Sequence, residues 1–183
     1  MTTMITYRHA TINDAPFIAK GVMIALHTDP NAPVYQKLVE VCRKDDTLYS
    51  WKHALLATDG DQYAGLCLCY PGKNYHAMRL HTFALLEGFV DGMDLENAED
   101  EAGEGEYYID SLAVMESYRR QGIARQLILE QLEIGKQTGA KRATLLVDPD
   151  NPSAQKLYRQ CGFTDDCQVY AFGQMFWKWQ HLY

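Results

Sequence analysis

The chain of 183 residues has no apolar stretch long enough to cross a bilayer, and no apolar run follows a basic start. These absences argue against a membrane span and against a secretory leader. Internal repeats are missing. Basic residues are scarce: 17 Lys and Arg stand against 24 Asp and Glu, a net charge of −7. That balance argues against nucleic-acid binding through a basic surface. The five cysteines (Cys42, Cys67, Cys69, Cys161, Cys167) are odd in number and mostly lie within apolar runs. Reduced, packed thiols are the expectation, and with them a cytoplasmic protein. Cys67 and Cys69, two apart in a strand, are expected to point to opposite faces, which is wrong for a metal pair, so no metal is expected. Nearly half of the residues are apolar, enough at this length for one domain with a sizeable core.

The informative stretch runs from Glu106 to Phe163. Tyr107 to Val114 is rich in aromatic and β-branched residues and reads as a strand. Tyr118 to Arg125 follows, and then Ile123, Leu127, Leu129, Leu132 and Ile134 recur at roughly helical spacing up to Gly135 and Gly139. A strand thus passes through a short turn carrying Arg119, Arg120 and Gly122 into the first turn of a helix. That turn suits an anion, because first-turn N–H groups lack intrahelical partners and carry the positive end of the helix dipole. Gly122 lets a ligand approach the backbone closely. Ala143 to Val147 reads as a buried strand. Asn151 is placed as an N-cap with Pro152 at the first helical position, and Ala154, Leu157, Tyr158 and Cys161 share one face before Gly162. The whole is a βαβα unit with parallel strands and a right-handed connection.

Arg119-x-x-Gly122-x-Ala124 resembles the acyl-CoA pyrophosphate loop of the GNAT superfamily of N-acetyltransferases. Asn151-x-x-Ala154-x-x-Leu157-Tyr158-x-x-x-Gly162-Phe163 resembles that family's next motif, and Leu112-Ala113-Val114 the end of its central strand. About a third of the chain is covered closely; Ala124 stands where many members have Gly. The resemblance implies an α/β (α+β) fold: a mixed, mostly antiparallel twisted sheet with a central, splayed parallel strand pair and helices on both faces. It implies acetyl-CoA as cosubstrate and direct acetyl transfer to a primary amine, of a small molecule by preference. A protein N-terminus or lysine as acceptor, and a silent CoA-binding module, are the alternatives. Members often dimerise, which leaves a homodimer open.

Before that unit, Ile5 to Ala10 reads as a strand, with Asn13 or Asp14 capping a helix that ends at the loop Asp29 to Pro33. Val34 to Arg43 reads as a second helix. In the resembled family these helices wall the acceptor pocket, which makes His27, Tyr35, Tyr49 and Trp51 candidate contacts; aromatic packing beneath a loop explains each equally. Trp51 to Ala57 and Gln62 to Tyr70 flank Asp59-Gly60, a hairpin signal, and Tyr75 to Leu86 reads as a short helix. From Glu87 to Glu106 there are nine acids and no Lys or Arg; without them the chain would hold 15 acids and 17 bases. A solvated, mobile loop is the plain expectation, an acidic lid drawing in a cationic amine the functional one. The spacing is not that of a calcium-binding EF-hand loop. Val169 to Phe172 and Met175 to Trp179 read as closing strands, the latter covered on both faces or meeting a second subunit.

Acyl transfer to an amine needs a proton acceptor, stabilisation of the oxyanion and a proton donor for the leaving thiolate. By resemblance the backbone of Leu112 and Val114 holds the pantetheine arm, and backbone amides among Arg119, Arg120, Gln121, Gly122, Ile123, Ala124 and Arg125 hold the pyrophosphate. Tyr158 matches the family's general acid, and Asn151 either binds the cofactor arm or only caps its helix. For the base, Glu106, Tyr108, Asp110, Leu112 and Val114 are expected on one strand face by alternation. Asp110 in mid-strand needs a partner or a function, since a buried lone carboxylate is unfavourable, and Glu106 is a second candidate acting through water. His53, His76 and His81 remain unplaced.

Overall fold

The computed structural model describes residues 4–29, 31–90 and 92–183. Pro30, part of the expected loop after the first helix, and Asp91, one of the nine acids, lie outside the described residues. Among the described residues seven strands form one sheet: β1 (Ile5–His9), β2 (Ala54–Asp59), β3 (Gln62–Pro71), β4 (Glu106–Val114), β5 (Arg142–Val147), β6 (Thr164–Ala171) and β7 (Gln174–Leu182). Their order is β1-β2-β3-β4-β5-β7-β6. All neighbours are antiparallel except β4 and β5. Among the described residues five α-helices accompany them: α1 (Ala15–Ala25), α2 (Tyr35–Cys42), α3 (Tyr75–Ala84), α4 (Ile123–Gln137) and α5 (Pro152–Gln160). This is the mixed, mostly antiparallel sheet with one parallel pair that the sequence implies.

Two apolar layers sandwich the sheet. On one face Ile18, Val22, Leu38 and Phe83 from α1, α2 and α3 pack against Leu66, Leu68, Tyr70 and Tyr108. On the other, Ile123, Leu127, Ile128 and Leu132 of α4 pack against Cys67, Cys69, Tyr107 and Ile109. Gly135 belongs to this contact rather than to the helix end: a Cβ there would come within 2.5 Å of the Tyr107 ring, and α4 runs past it to Gln137. Cys67 and Cys69 point to the same face, with Sγ atoms 3.5 Å apart. The expectation of opposite faces was mistaken, because the period of two in a strand aligns residues i and i+2.

Other differences have local causes. Trp51–His53 forms a 3-10 turn ahead of β2, started by Ser50 Oγ accepting the Lys52 N–H at 3.3 Å. Asp14 does not cap α1 with its side chain; it takes both guanidinium arms of Arg8 (2.8 and 2.9 Å), the Thr11 N–H and the Tyr63 hydroxyl. β6 starts five residues before the expected strand, because its Thr-Asp-Asp-Cys-Gln start is an exposed edge with little apolar signal. On β7 both faces are covered over its middle: Trp177 and Trp179 stack toward α4's layer, while Lys178 is buried against Glu106.

Among the described residues the acidic stretch between α3 and β4 has no strand or helix, and most of its acids are exposed, yet it is tied down at several points. Arg79 of α3, 3% exposed, donates to the carbonyls of Leu95, Ala98 and Glu99 at 2.8–3.0 Å and pairs with Asp100. Glu99 Oε2 accepts the Tyr170 N–H at 2.8 Å, tying the stretch to the β6–β7 hairpin. Glu101 is buried. An Arg placed once in α3 thus orders a segment that its composition marks as mobile.

Candidate active site

Strands β4 and β5 pair only from Glu106 and Arg142 to Ile109 and Leu145. Beyond that point β4 continues to Val114 and β5 to Val147 without register, so the strands splay. A cleft of about 1460 Å³ opens at this gap. Met115 donates its N–H to Ala64 O of β3, so alternation turns the backbone groups of Leu112 and Val114 to the open edge. There the Val114 carbonyl accepts Arg119 Nε at 3.2 Å.

After β4 a 3-10 turn (Glu116–Tyr118) leads into the loop before α4. Arg120 and Gly122 are both left-handed, with φ of 60° and 82°. Non-Gly residues rarely adopt this conformation, and here it aims the first turn of α4 at the cleft. Arg119, Arg120, Gly122, Ile123, Ala124 and Arg125 line it. A Cβ at Gly122 would meet nothing within 4 Å, so the space in front of this turn is open. Gln121 does not line the cleft and instead donates to Ser117 O at 3.3 Å. The free first-turn N–H groups and three arginines make this end fit for a diphosphate.

The facing wall comes from α5. Asn151 lines the cleft and caps its helix, Oδ1 accepting the Ala154 N–H at 3.0 Å; its amide NH₂ is left for another partner. Tyr158 lines the same wall, held edge-on to Phe163 with centroids 6.1 Å apart. Its hydroxyl has no hydrogen bond among the described residues. Burial, then the nearby Cys67 thiol, raises its pKa, so it carries its proton at neutral pH and can donate it.

The other end of the cleft is acidic. Tyr49, Glu101, Tyr108 and Asp110 line it. Asp110 Oδ2 accepts the Tyr70 hydroxyl at 2.5 Å and Oδ1 the Ser111 hydroxyl at 2.6 Å. Glu101 takes the Tyr75 hydroxyl at 2.7 Å and the Tyr108 hydroxyl at 2.6 Å. Tyr70, Tyr75 and Tyr108 are in mutual ring contact, centroids 5.8–6.3 Å apart. Two carboxylates therefore share one tyrosine cluster. Burial first, then the charge of Glu101, pushes Asp110 up to about 6 against the pull of Ser111 and Tyr70. Burial likewise raises Glu101, partly offset by its two tyrosines and by Arg79 and Lys178.

The register of β4 slips by one residue opposite Leu68 and Cys69, which pair with Ser111 and Ile109. Asp110 is thus the extra residue of a β-bulge, a device that re-aims side chains beside functional sites. It breaks the expected alternation. Tyr108 stays with the α1 and α3 layer, but Leu112 and Val114 pack on the α4 side.

Glu106 does not line the cleft. Its carboxylate binds Lys178 (2.8 Å), Arg142 (2.5 Å), Thr144 and the Gly103 N–H. Burial would raise its pKa, but Lys178, Gly103 and Arg142 together bring it below the ordinary value. A carboxylate so held is a poor base. His53, His76 and His81 do not line the cleft either. Burial drives His53 down to about 4, while His76 and His81 face Asp100 and Asp46. Of the aromatic candidates, Tyr49 and His27 line the cleft, Tyr35 donates to Pro16 O, and Trp51 lies under Lys52. Glu101 is the residue the sequence reading passed over.

Residues 22–163 match the Acetyltransferase (GNAT) family. N-alpha-acetyltransferase 30 of Schizosaccharomyces pombe is 24% identical over 173 residues, 94% of this chain and 90% of that protein. A solved N-acetyltransferase from Staphylococcus aureus Mu50 is similar at TM-score 0.81 and 25% identity, covering 96% of this chain and all of that one. A further solved acetyltransferase is similar at TM-score 0.77 and 26% identity, covering 97% and 98% of the two chains. A match over most of the chain, on a splayed sheet with an anion-ready loop, establishes that this protein belongs to the GNAT acetyltransferase family and is an acyltransferase.

Proposed function

We propose that the protein transfers the acetyl group of acetyl-CoA directly to the primary amine of a small molecule. The observation that carries this reading is the acid-and-tyrosine floor of Asp110 and Glu101, set in the same cleft as the loop at Arg119 to Arg125. Backbone amides from Gly122 to Arg125 take the pyrophosphate, with the arginines neutralising it. The open edge at Leu112 and Val114 takes the pantetheine amides, and Asn151 offers its NH₂ to the same arm.

Asp110 accepts a proton from the acceptor ammonium, so that its nitrogen can form the new bond to the thioester carbon. As the carbon–sulfur bond breaks, Tyr158 gives its hydroxyl proton to the sulfur. The proton lost by the new amide nitrogen restores Tyr158, and Asp110 releases its own to solvent. One ammonium and one thioester become one amide, one thiol and one proton. A carboxyl near 6 is mostly ionised at neutral pH yet basic enough for this exchange.

A protein N-terminus is the second reading, favoured by the name of the fission-yeast relative. Release of free thiol from acetyl-CoA, measured with a panel of small primary amines and with peptides bearing free N-termini or lysines, separates the two. Small amines should turn over at least tenfold faster, as kcat/KM. Turnover of peptides alone overturns the small-molecule reading.

A further inference from the structure

Four tyrosines line the cleft: Tyr49, Tyr108, Tyr118 and Tyr158. Tyr108 gives its hydroxyl to Glu101, and Tyr118 gives its own to Asp59 at 3.3 Å. Tyr49 and Tyr158 have no hydrogen-bond partner for theirs among the described residues. Tyr158 is accounted for as the proton donor to sulfur; Tyr49 has no part in the steps above. It is 2% exposed, and a hydroxyl so deep in a protein is normally paired. Its oxygen is not sealed in, as the unpaired Trp51 Nε1 and Trp179 Nε1 are, and what stays open of Tyr49 opens on the cleft. Its support is firm on both sides. Thr47 Oγ1 donates to Val41 O of α2 at 3.0 Å, the Leu48 N–H donates to Thr82 Oγ1 of α3 at 2.9 Å, and the ring meets Phe83 edge-on with centroids 6.1 Å apart.

The surroundings select what this hydroxyl can meet. Burial first, then the charges of Asp110 and Glu101, raise its pKa, so it stays a neutral phenol. Two carboxylates at this end would repel a developing oxyanion and attract an ammonium. A primary ammonium brings three N–H donors. Each oxygen of Glu101 and each oxygen of Asp110 already accepts one hydroxyl. Asp110 takes one of the three protons as base, and the Tyr49 oxygen is an uncommitted neutral acceptor for a second N–H. We propose that Tyr49 is a further catalytic residue, its hydroxyl oxygen accepting an N–H of the acceptor amine and thereby aiming the nitrogen lone pair at the thioester carbon. The neutral amine left by proton transfer still carries two N–H groups, so the contact outlasts that step, and Tyr49 keeps its own proton throughout. With one N–H and the alkyl carbon fixed, the direction of the lone pair is restricted, which is what attack requires. The inference rests on the placing of the amine at Asp110 and applies to a small-molecule or a peptide amine alike.

The test is Tyr49→Phe in the full chain, assayed with acetyl-CoA and whichever amine, small or peptide, the wild type turns over best. The ring and its contact with Phe83 remain and no internal hydrogen bond is lost, so Tm should not fall. The Kd for acetyl-CoA by calorimetry should stay within about twofold. The kcat/KM for the amine should drop about tenfold or more, as expected for a hydrogen bond from a charged donor. An unchanged kcat/KM overturns the assignment. So does a lowered Tm, which would give the hydroxyl a structural partner, or an equal loss of acetyl-CoA affinity, which would move Tyr49 to the donor side. Asp110→Asn, measured alongside, separates the two readings: wild-type turnover in that variant overturns the placing of the amine, whereas wild-type turnover in Tyr49→Phe alone overturns only the role of Tyr49.

Discussion

Replacing Glu101 with glutamine removes one charge from the floor of the cleft while keeping the side chain's size and a carbonyl oxygen for one of the two tyrosine hydroxyls. The groups around Asp110 are Tyr70 and Cys69 from β3, Tyr75 from α3, Tyr49 before β2, Tyr108 and Ser111 from its own strand, and Glu101. Of these, Glu101 is the only neighbouring acid, and after burial it is the largest cause holding Asp110 at about 6. The two carboxylates hang from tyrosines whose rings are about 6 Å apart. At a separation of roughly 8 Å and an effective dielectric of about 20 to 40, their repulsion is roughly 1–2 kcal/mol, or about one pH unit. Glu101→Gln should therefore move the acid limb of the kcat/KM profile from about pH 6 to about pH 5. The sign is fixed: removing a negative neighbour favours the ionised form of Asp110 and lowers its pKa. The plateau rate should fall by no more than about tenfold, since one unit of basicity is lost. The assay is thiol release from pH 4.5 to 8.5 for wild type, Glu101→Gln and Asp110→Asn. A limb that stays at pH 6 in Glu101→Gln, while Asp110→Asn loses it, refutes the coupling. A limb that survives in Asp110→Asn moves the base elsewhere.

Tyr158→Phe should keep acetyl-CoA affinity by calorimetry and lose turnover by about a hundredfold or more; unchanged turnover makes Tyr158 a packing residue. Gly122→Asp sets a side chain on a φ of 82° and a negative charge before the first turn of α4, so acetyl-CoA binding should fall by at least tenfold in a protein that still folds, and an unaltered Kd refutes the anion role of the loop. Asp14→Ala leaves Arg8, the Thr11 N–H and the Tyr63 hydroxyl without their shared acceptor and should cost about 2–4 kcal/mol in urea melts at pH 7. Arg8 holds the Asp14 pKa below the ordinary range, so this contribution is present above about pH 4 and shrinks as pH falls below that value. A difference between wild type and variant that is as large at pH 3 as at pH 7 contradicts the assignment.

The donor half of the candidate site was legible because its signals are local. A strand, a glycine turn, a capped helix and their spacing all act within the stretch from Tyr107 to Phe163, and each signal is a backbone requirement that a particular residue type meets. The acceptor half was not, because it is assembled across the chain. Glu101 is one acid among nine, and nothing beside it distinguishes a buried carboxylate from a solvated one. The clue lay elsewhere: Arg79 is the one Lys or Arg of α3 and lies on its buried side with Tyr75, Thr82 and Phe83, while Tyr70, Tyr75 and Tyr108 are spread over three elements as donors. The bulge at Asp110 adds a single residue, and neither Asp110 nor Ser111 announces it. That one residue reverses which face Leu112 and Val114 present. The reading of Cys67 and Cys69 failed for a simpler reason, a misapplied strand period.

The Arg79 contacts carry a consequence for how this enzyme's selectivity can change. The wall of the cleft from Gly92 to Gly103 has no ladder of its own, and a guanidinium anchored in α3 serves as hydrogen-bond donor to three of its carbonyls. Its order is therefore on loan from α3: the amides of that wall should exchange with solvent no more slowly than α3 itself opens. Substitutions on the buried side of α3, far from any reacting atom, will loosen the wall before they unfold the sheet. Variants with altered amine preference should accordingly appear along a helix that never touches the amine.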